Sequence, residues 1–448
     1  MPNLLSIILA AGEGTRMKSD RPKVLHEVGH LPIVGHVLNA ATAAGSTDIA
    51  VVTGPGHEAV HAAVAALNPR VRFFEQVERR GTAHAAMMAE PAYRAAEGYV
   101  AVVYGDHPLL RAENFSQIAE RLEQGLDAVI LGFEPEDPTG YGRFITDGEK
   151  LLAIREHKDA SAAELAIGLC NACVLGFKAE VFRTLIGRVS DDNAQGEYYL
   201  TDLVELANAA GYSVGYTIAP EADVMGVNDR VQLARAEAIF QARRRMEMMR
   251  GGVTLVDPAS TYFAFDTQIA PDVTVEPHVV FGSGVTVQTG ATIYAFSHIE
   301  GAHIGANASV GPFARLRPAA VLSQGAKVGN FVEIKKANVG IGAKVNHLTY
   351  IGDADIGAGS NIGAGTVTCN YDGYNKSRTV IGENAFVGSN SALVAPVEIG
   401  EGAYIASGSV ITEPVAADAL GIGRARQTNK PGYGKALRER FSAHKMKN

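Results

Sequence analysis

The feature that most constrains the fold is an apolar side chain that recurs every six residues in the C-terminal part of the chain. The series is Ile269, Val275, Phe281, Val287, Ile293 and Ile299, then Ile304, Val310, Leu316, Leu322, Val328 and Ile334, then Ile381, Val387, Leu393, Ile399, Ile405 and Ile411. Glycine follows many of these positions. A six-residue period fits neither a helix nor a strand, and it predicts a parallel β-helix in which each hexad forms one flat face.

Residues 369–380 interrupt this period. An insertion in a solenoid has to leave the wall as a loop, and loops of this kind often carry function. We therefore predict a functional loop here, which contains Asn370 and Tyr371.

The first 228 residues follow a different pattern, in which short apolar runs alternate with helical periodicity. Strands are predicted over 5–9, 49–53, 99–104 and 128–133, and helices over 33–44 and 114–124. This alternation predicts an α/β domain with a Rossmann-like sheet that is parallel or mixed.

Residues 229–250 keep helical periodicity without interruption and end at Gly251-Gly252. A glycine pair after a long helical run marks a helix end. The chain is 448 residues long, enough for two or three domains. We predict an α/β domain over 1–228, a helical linker over 229–250, and a β-helix domain with a basic tail over 251–448.

Charge and hydropathy exclude several classes of protein. The net charge of −8 argues against a general partner for nucleic acid or an anionic membrane. No apolar run approaches the 18 residues of a membrane span, and residues 1–10 lack the basic segment of a signal peptide. Three cysteines are too few for a disulfide scaffold. The sequence therefore predicts a cytoplasmic protein without membrane or nucleic-acid partners.

The C-terminal tail departs from this acidic balance. From Arg424 onward, eight Lys or Arg residues accompany one acidic residue, Glu439. Composition leaves two interpretations equally open, a solvated terminus or an arm that covers an anionic ligand such as a nucleotide phosphate.

A glycine-rich turn directly follows the first predicted strand. Gly12 and Gly14 allow the backbone to approach a phosphate, while Arg16 and Lys23 supply positive charge. A lone Gly-x-Gly also fits an ordinary turn, but the Thr-Arg-Met and Pro-Lys segments that follow favour phosphate binding.

An acidic residue is needed beside such a turn, because a divalent cation must bridge two polyphosphates that repel each other. Asp106 ends an apolar strand at the edge where α/β sheets bind ligands, so it is the best oxygen donor. A structural role as a helix cap or turn residue is the alternative.

Three residues of the predicted β-helix suggest a second site. Arg317, Lys335 and His347 are spaced by roughly one coil, so we expect them to stack on one face. Two cations beside a histidine suit a phosphorylated sugar whose amine must lose a proton. His347 also fits an ordinary surface imidazole. A zinc site built from His298, His303 and His347 is a further alternative, which their spacing disfavours.

With these motifs, the N-terminal part resembles the sugar-1-phosphate nucleotidylyltransferases. The resemblance implies Mg²⁺ bound by Asp106 and Asn228, with Arg16 and Lys23 as catalytic cations. Asn171 is implied too, although Cys170 and Ala172 beside it depart from the family pattern. The substrate-binding positions implied are Leu9, Ala10, Ala11, Gly12, Lys23, Gln76, Gly81, Thr82, Tyr104, Gly105, Asp106, Gly142, Glu156, Asn171 and Asn228.

Over essentially its whole length the chain resembles the bifunctional bacterial N-acetylglucosamine-1-phosphate uridyltransferase / glucosamine-1-phosphate N-acetyltransferase family. This implies a left-handed β-helix, a homotrimer, and acetyl-CoA bound between neighbouring subunits, with His347 as proton acceptor. The acetyl-site positions implied are Arg317, Lys335, Tyr350 and Asn361 for the sugar phosphate, Ala364, Ser389, Ser407 and Arg424 for coenzyme A, and Asn370 and Tyr371 in the inserted loop.

The resemblance implies two reactions. Acetyl-CoA would acetylate glucosamine-1-phosphate, and the resulting N-acetylglucosamine-1-phosphate would react with UTP to give UDP-N-acetylglucosamine and pyrophosphate, which supplies peptidoglycan and lipopolysaccharide precursors. Two alternatives stay open. One is a nucleotidylyltransferase for another sugar or base whose β-helix serves only assembly, and the other is a non-catalytic assembly subunit. Arg317, Lys335 and His347 argue against the first, and the intact glycine-rich turn argues against the second.

Overall fold

The computed structural model describes residues 3–445, and it divides the chain into two compact units between Met246 and Glu247. The first two residues and the end of the predicted basic tail, 446–448, lie outside the described residues. Within the described part, no helix is both long enough and apolar enough to cross a membrane.

A mixed sheet forms the centre of the first unit. Its strands and a small hairpin (β2 and β3) are β1 Leu4–Ala10, β2 Glu27–Val28, β3 Leu31–Pro32, β4 Asp48–Thr53, β5 Arg72–Glu75, β6 Tyr99–Tyr104, β7 Ala128–Phe133, β8 Arg143–Asp147, β9 Lys150–Arg155, β10 Cys170–Lys178 and β11 Val214–Ile218. The order across the sheet is β5-β4-β1-β6-β10-β7-β11-β9-β8. Strands β5, β4, β1 and β6 are parallel, whereas β10 runs antiparallel to both neighbours. The prediction of an α/β unit with a mixed or parallel sheet is confirmed.

Helices cover both faces of this sheet because its central strands are apolar on both sides. The strand Ala128–Phe133 is buried throughout, and two separate apolar clusters flank the sheet. The helices are α1 Ile33–Ala43, α2 Glu58–Leu67, α3 Thr82–Met88, α4 Glu90–Ala95, α5 Ala112–Glu123, α6 Ala162–Leu165, α7 Ala179–Leu185, α8 Leu203–Ala209 and α9 Glu221–Val224, with short 3-10 turns at Thr15–Met17, Lys23–Leu25, Ile186–Arg188 and Leu200–Asp202.

The long helix predicted near residue 229 is α10, Arg230–Arg250. Most of this helix belongs to the first unit: Ala236 is buried there, and Arg243 donates 2.6 Å and 2.8 Å hydrogen bonds to Asp223 and to the Leu109 carbonyl. The structural division at Met246 therefore falls inside this helix. The predicted boundaries of 1–228, 229–250 and 251–448 stay a proposal.

The second unit is a left-handed parallel β-helix, as predicted. Its strands are β12 Thr254–Leu255, β13 Tyr262–Phe263, β14 Gln268–Ile269, β15 Thr274–Val275, β16 Val280–Phe281, β17 Thr286–Val287, β18 Thr292–Ile293, β19 His298–Ile299, β20 Ala302–Ile304, β21 Ser309–Val310, β22 Arg315–Leu316, β23 Ala320–Leu322, β24 Lys327–Asn330, β25 Glu333–Val339, β26 Lys344–His347, β27 Tyr350–Ile356, β28 Asn361–Ile362, β29 Val367–Cys369, β30 Thr379–Ile381, β31 Phe386–Val387, β32 Ala392–Val394, β33 Val397–Ile399, β34 Tyr404–Ile405, β35 Val410–Ile411 and β36 Leu420–Gly421. A 3-10 turn at Pro258–Ser260 and the helix α11 Tyr433–Lys445 complete it.

Each strand pairs in parallel with the strand one coil further on, and the periodic apolar residues fill the interior. Val275 pairs with Ile293, for example, and Ile293 with Val310, and all three are fully buried. One face runs β12-β15-β18-β21-β24-β26-β28-β31-β34-β36, and the other strands form a second, branched sheet. Between Cys369 and Thr379 the chain leaves the wall as a loop with largely exposed residues, which the broken period predicted.

One corner of each coil has a left-handed backbone. In the early coils aromatic side chains occupy it: the rings of Phe296, Phe313 and Phe331 stack with centroids 4.9 Å and 5.2 Å apart, and Leu348 follows. We call these four residues the corner ladder. Each is about half exposed or more. In later coils Gly365, Asn390 and Gly408 take this corner, and they tolerate positive φ far better.

Candidate active sites

The glycine-rich turn after β1 lies against Lys23. Gly14 has φ +67°, and a Cβ there would lie 2.5 Å from the Lys23 Cβ. Glycine at this position therefore lets the turn pass close to Lys23. Beside it is a cavity of about 240 Å³, whose lining includes the predicted residues Leu9, Ala10, Ala11, Gly12, Lys23, Gln76, Gly81, Thr82, Tyr104 and Asp106.

The two residues predicted to bind the metal both accept a hydrogen bond from the Lys23 ammonium. The Lys23 ammonium donates a 2.5 Å hydrogen bond to Asp106 Oδ2 and a 3.0 Å hydrogen bond to Asn228 Oδ1. Burial opposes ionisation of Asp106, but Lys23 and His107 outweigh it and hold the pKa of this carboxyl well below its usual range. The site therefore presents an ionised carboxylate and an amide oxygen to one positive charge.

The predicted sugar-binding residues lie near one another on the strands that follow. A Cβ on Gly142 would lie 3.6 Å from both carboxylate oxygens of Glu156, and the Asn171 amide N–H donates to the Gly142 carbonyl. Burial raises the pKa of Glu156, and the buried Thr201 hydroxyl donates a 3.0 Å hydrogen bond to it. Asn171 is buried, and its Oδ1 accepts from the Cys173 amide.

Arg16 lines a second cavity of about 560 Å³, which shares Tyr104 and Asp106 with the first. Gly105 contributes backbone only: its N–H donates to the Leu9 carbonyl, and a Cβ there would lie 2.9 Å from that oxygen. The two cavities meet at Asp106, at the carboxyl ends of β1 and β6, where parallel sheets commonly bind ligands.

Sequence reasoning missed several residues of these cavities. Arg79 lines the first and donates to the Ala11 carbonyl of the glycine-rich turn. His107 and Cys173 line the second, and burial raises the pKa of the Cys173 thiol well above its usual value. His107 Nδ1 lies 2.7 Å from Asp106 Oδ1, in ion-pair range but without hydrogen-bond alignment. The available signal for His107 was its position directly after Asp106 in the sequence.

In the second unit, Arg317 and Lys335 are neighbours on successive coils. The Arg317 N–H donates to the Ile334 carbonyl, and its guanidinium donates a 2.8 Å hydrogen bond to Glu333. Lys376 of the inserted loop lies close enough to lower the pKa of Lys335. Three cations therefore gather here. Lys376 was missed because only the fold brings this loop back over the wall.

The expectation that His347 stacks on the same face is wrong. Arg317 and Lys335 are eighteen residues apart, one full coil, but Lys335 and His347 are only twelve apart. His347 therefore belongs to the neighbouring face, where it pairs with Asn330, whereas Lys335 pairs with Gly352.

The imidazole of His347 contacts the side-chain amide of Asn330. His347 Nδ1 lies 2.7 Å from Asn330 Oδ1. Because a carbonyl oxygen only accepts, Nδ1 carries the proton and Nε2 keeps its lone pair. The exposed His347 is thus oriented as a base toward whatever meets Nε2.

The positions predicted to contact coenzyme A continue the line that Asn330 and His347 begin. Val345 pairs with Ile362, Ile362 with Val387 and Val387 with Ile405, so the residues two places further on repeat with the coil. The residues of this corner line are Asn330, His347, Ala364, Ser389 and Ser407. Arg424 follows beside Gly408, where a Cβ would lie 3.7 Å from its Cδ.

The remaining residues predicted for the acetyl site lie on the wall and the loop. Tyr350 pairs with Glu333, and Asn361 pairs with Lys344. Asn370 donates a 2.5 Å hydrogen bond to Asp353, while Tyr371 is exposed and its hydroxyl donates to Gly373. Among the described residues, no three His, Cys, Asp or Glu side chains are grouped to hold a metal, so the zinc alternative for His298, His303 and His347 finds no support.

Fold and sites together define a transferase with a nucleotidyltransferase unit and a hexapeptide-repeat acyltransferase unit. Residues 6–165 match the MobA-like NTP transferase domain, and residues 378–413 match the bacterial transferase hexapeptide (six repeats). The chain is 55% identical to the bifunctional protein GlmU of Sinorhizobium fredii over 98% of this chain and 97% of the relative. It is 47% identical to that of Bartonella quintana over the full length of both.

The chain therefore belongs to the GlmU family. It is a bifunctional uridyltransferase and acetyltransferase of UDP-N-acetylglucosamine synthesis. The non-catalytic assembly subunit and the nucleotidylyltransferase with a purely structural β-helix are thereby set aside.

Proposed function

We propose that the cavity around Lys23, Asp106 and Asn228 joins UTP to N-acetylglucosamine-1-phosphate. The observation that carries this is the convergence of both oxygen ligands on the Lys23 ammonium. Arg16 and Lys23 neutralise the phosphates while the sugar phosphate attacks the α-phosphorus and pyrophosphate leaves. Glu156 and Asn171 hold the sugar, because carboxylate and amide groups suit its hydroxyl and acetamido groups.

Mg²⁺ fits this site. Asp106 and Asn228 offer the hard oxygen ligands that Mg²⁺ prefers, and their oxygens already lie around one positive charge. When bound, the ion neutralises charge on the polyphosphate. Arg16 and Lys23, which lie beside the glycine-rich turn, orient the same phosphates.

At the second site, Arg317, Lys335 and Lys376 attract the phosphate of glucosamine-1-phosphate. His347 Nε2 accepts a proton from the sugar amine as its nitrogen bonds to the acetyl carbon of acetyl-CoA. The carbon–sulfur bond breaks, and coenzyme A leaves as the thiolate while His347 holds the proton taken from the amine. Ala364, Ser389 and Ser407 extend from His347 along the corner line and support binding of coenzyme A there, with Arg424 at its end.

We further propose that the chain acts as a cytoplasmic homotrimer. The corner ladder supports this, because its residues combine exposure with a left-handed backbone that costs roughly 1 kcal/mol or more per residue. Burial against a second copy would offset that cost. The product serves as a precursor of peptidoglycan and lipopolysaccharide.

One experiment tests both activities. The purified chain is incubated with Mg²⁺, UTP and each candidate sugar phosphate, with and without acetyl-CoA, and products are identified by mass. We expect N-acetylglucosamine-1-phosphate to give UDP-N-acetylglucosamine without acetyl-CoA. Glucosamine-1-phosphate should give it only when acetyl-CoA is present. A nucleotide sugar of another mass as the main product would contradict the assignment.

A further inference from the structure

A hydrogen-bond network in the nucleotide cavity fixes the orientation of one side-chain amide. Gln76 follows β5, is only 3% exposed, and lines the 240 Å³ cavity. Its Nε2 lies 3.0 Å from the Gly81 carbonyl oxygen and 3.2 Å from His84 Nδ1. A carbonyl oxygen only accepts, so the nitrogen of the amide must face Gly81, and the oxygen must face the other way.

The Gly81 carbonyl is itself held in place. Gly81 has φ +109°, and a Cβ there would lie 2.6 Å from the Tyr198 carbonyl oxygen. Its carbonyl also accepts the N–H of Ala85 in the first turn of α3. This second hydrogen bond restrains the Gly81 carbonyl, which is one of the two partners of the Gln76 amide nitrogen, and His84 is the other.

His84 of α3 takes the second N–H of the amide. The Gln76 Nε2 donates, so the His84 Nδ1 must accept. His84 is therefore the tautomer whose proton is on its own Nε2. Both N–H groups of Gln76 are then used within the protein. Its Oε1 has no hydrogen-bond partner among the described residues, so the side chain offers the cavity an acceptor and no donor.

We propose that His84 is a positioning residue that makes the nucleotide site select uracil over cytosine through the orientation of Gln76. Uracil presents a ring N–H at position 3, which an acceptor such as Oε1 can bind. Cytosine presents a lone pair at the same position, so two acceptors would face each other. This inference rests on the proposed function, in which the cavity holds the base of UTP.

The test compares two substitutions of His84. His84→Leu keeps apolar bulk beside Tyr198 but removes the acceptor, whereas His84→Asn keeps an oxygen that can accept from Nε2. The readout is the ratio of kcat/KM for UTP to that for CTP, with N-acetylglucosamine-1-phosphate and Mg²⁺. Partial unfolding lowers both values equally and leaves this ratio unchanged, and acetyl transfer by each variant checks the other unit.

We expect His84→Leu to lower the UTP/CTP ratio about 10-fold, the effect of losing one neutral hydrogen bond that holds the amide. His84→Asn should keep the ratio within about 3-fold of the unsubstituted chain, a spread smaller than the loss of one such bond. A ratio unchanged in His84→Leu, or lowered equally in both variants, would overturn the inference. If the unsubstituted chain shows no preference for UTP, the proposed use of UTP fails first, and the two failures are thereby distinguished.

Discussion

At the scale of single residues, the proposed acetyl site has one base, His347. An ammonium group cannot attack a thioester, because its lone pair is held by a proton, and His347 Nε2 is oriented to take that proton through the bond between Nδ1 and Asn330. General-base assistance contributes about 10²–10⁴-fold. His347→Ala should therefore lower kcat for acetyl transfer by that order, with uridylyl transfer unchanged.

Both activities of this variant are measured beside those of His298→Ala, an exposed histidine elsewhere on the solenoid. Turnover of His347→Ala equal to that of this control would place the base on another residue.

The uridylyl site has an equally direct residue test. If Asp106 holds the metal that neutralises the triphosphate, Asp106→Ala should abolish pyrophosphate release, while acetyl transfer in the separate second unit continues. Asp137→Ala is the matched control, since Asp137 lines the neighbouring cavity but is exposed and makes no contact with Lys23 in the structure. Comparable loss of both activities in Asp106→Ala would point to misfolding instead.

Asp202 offers a test of stability against pH. Burial first, and then Glu205, raise the pKa of Asp202 to about 6 from 3.8. A raised carboxyl pKa means that the folded state favours the protonated form. The contribution of protonated Asp202 to the unfolding free energy is therefore complete below pH 3.8 and is lost as the pH rises through 6. A shift of this size corresponds to about 3 kcal/mol, which we reduce to roughly 1 kcal/mol because solvent partly screens the group.

Asp202→Asn removes the charge and should raise the unfolding free energy of the first unit by that amount at pH 7.5, and by less at pH 5. Denaturant unfolding at the two pH values measures this, with Asp147→Asn on an exposed strand end as control. A gain for Asp202→Asn that is the same at both pH values would show that its ionisation has no part in stability.

At the scale of elements, the C-terminal tail tests the coenzyme A assignment. Residues 424–442 are almost all exposed, and Arg424 lies beside the corner line. Removing the chain from Arg424 onward should raise the KM for acetyl-CoA and leave uridylyl transfer unchanged, because several cations near a polyphosphate raise its affinity. Added salt should raise the KM of the full chain more than that of the truncated one. An unaltered KM would favour the interpretation of a solvated terminus.

The elements were more predictable than the contacts between them. The strands at 99–104 and 128–133 were predicted to the residue, because each is a short apolar run between polar turns. The six-residue period gave the solenoid and its inserted loop for the same reason. The prediction placed His347 on the wrong face of the β-helix. The face of a residue depends on how many residues separate it from its neighbours, and the twelve residues from Lys335 to His347 are less than one full coil.

Contacts between distant segments were beyond the sequence. Lys376 approaches Lys335, and His84 approaches Gln76, only after the chain has folded. No local pattern marks either residue. Asp106 could be chosen beforehand, because the end of an apolar strand in an α/β sheet already defines its place.

At the scale of the whole molecule, the corner ladder predicts the assembly. Phe313→Asn together with Phe331→Asn should weaken the trimer, because asparagine tolerates the left-handed backbone but removes the apolar contact. Light scattering across a dilution series measures the mass. Acetyl transfer should fall with trimer content if the site is shared between subunits, whereas uridylyl transfer should persist.

Ile218→Asn, an exposed apolar residue of the first unit, is the control. An unsubstituted chain that is monomeric and fully active in acetyl transfer would contradict the trimer. An unchanged mass of the double variant would show that the corner ladder is not part of the interface between subunits.

The corner line also has a fixed length, which is set by the spacing of the coils. Strands in neighbouring coils lie about 4.8 Å apart, so the three coil steps from His347 through Ala364 and Ser389 to Ser407 span roughly 14 Å. That length is set by the number of coils and is therefore insensitive to side-chain changes. If coenzyme A binds along the corner line as proposed, a donor whose acyl end meets His347 must span this distance to reach Ser407, and a shorter thioester would contact only the His347 end of the line.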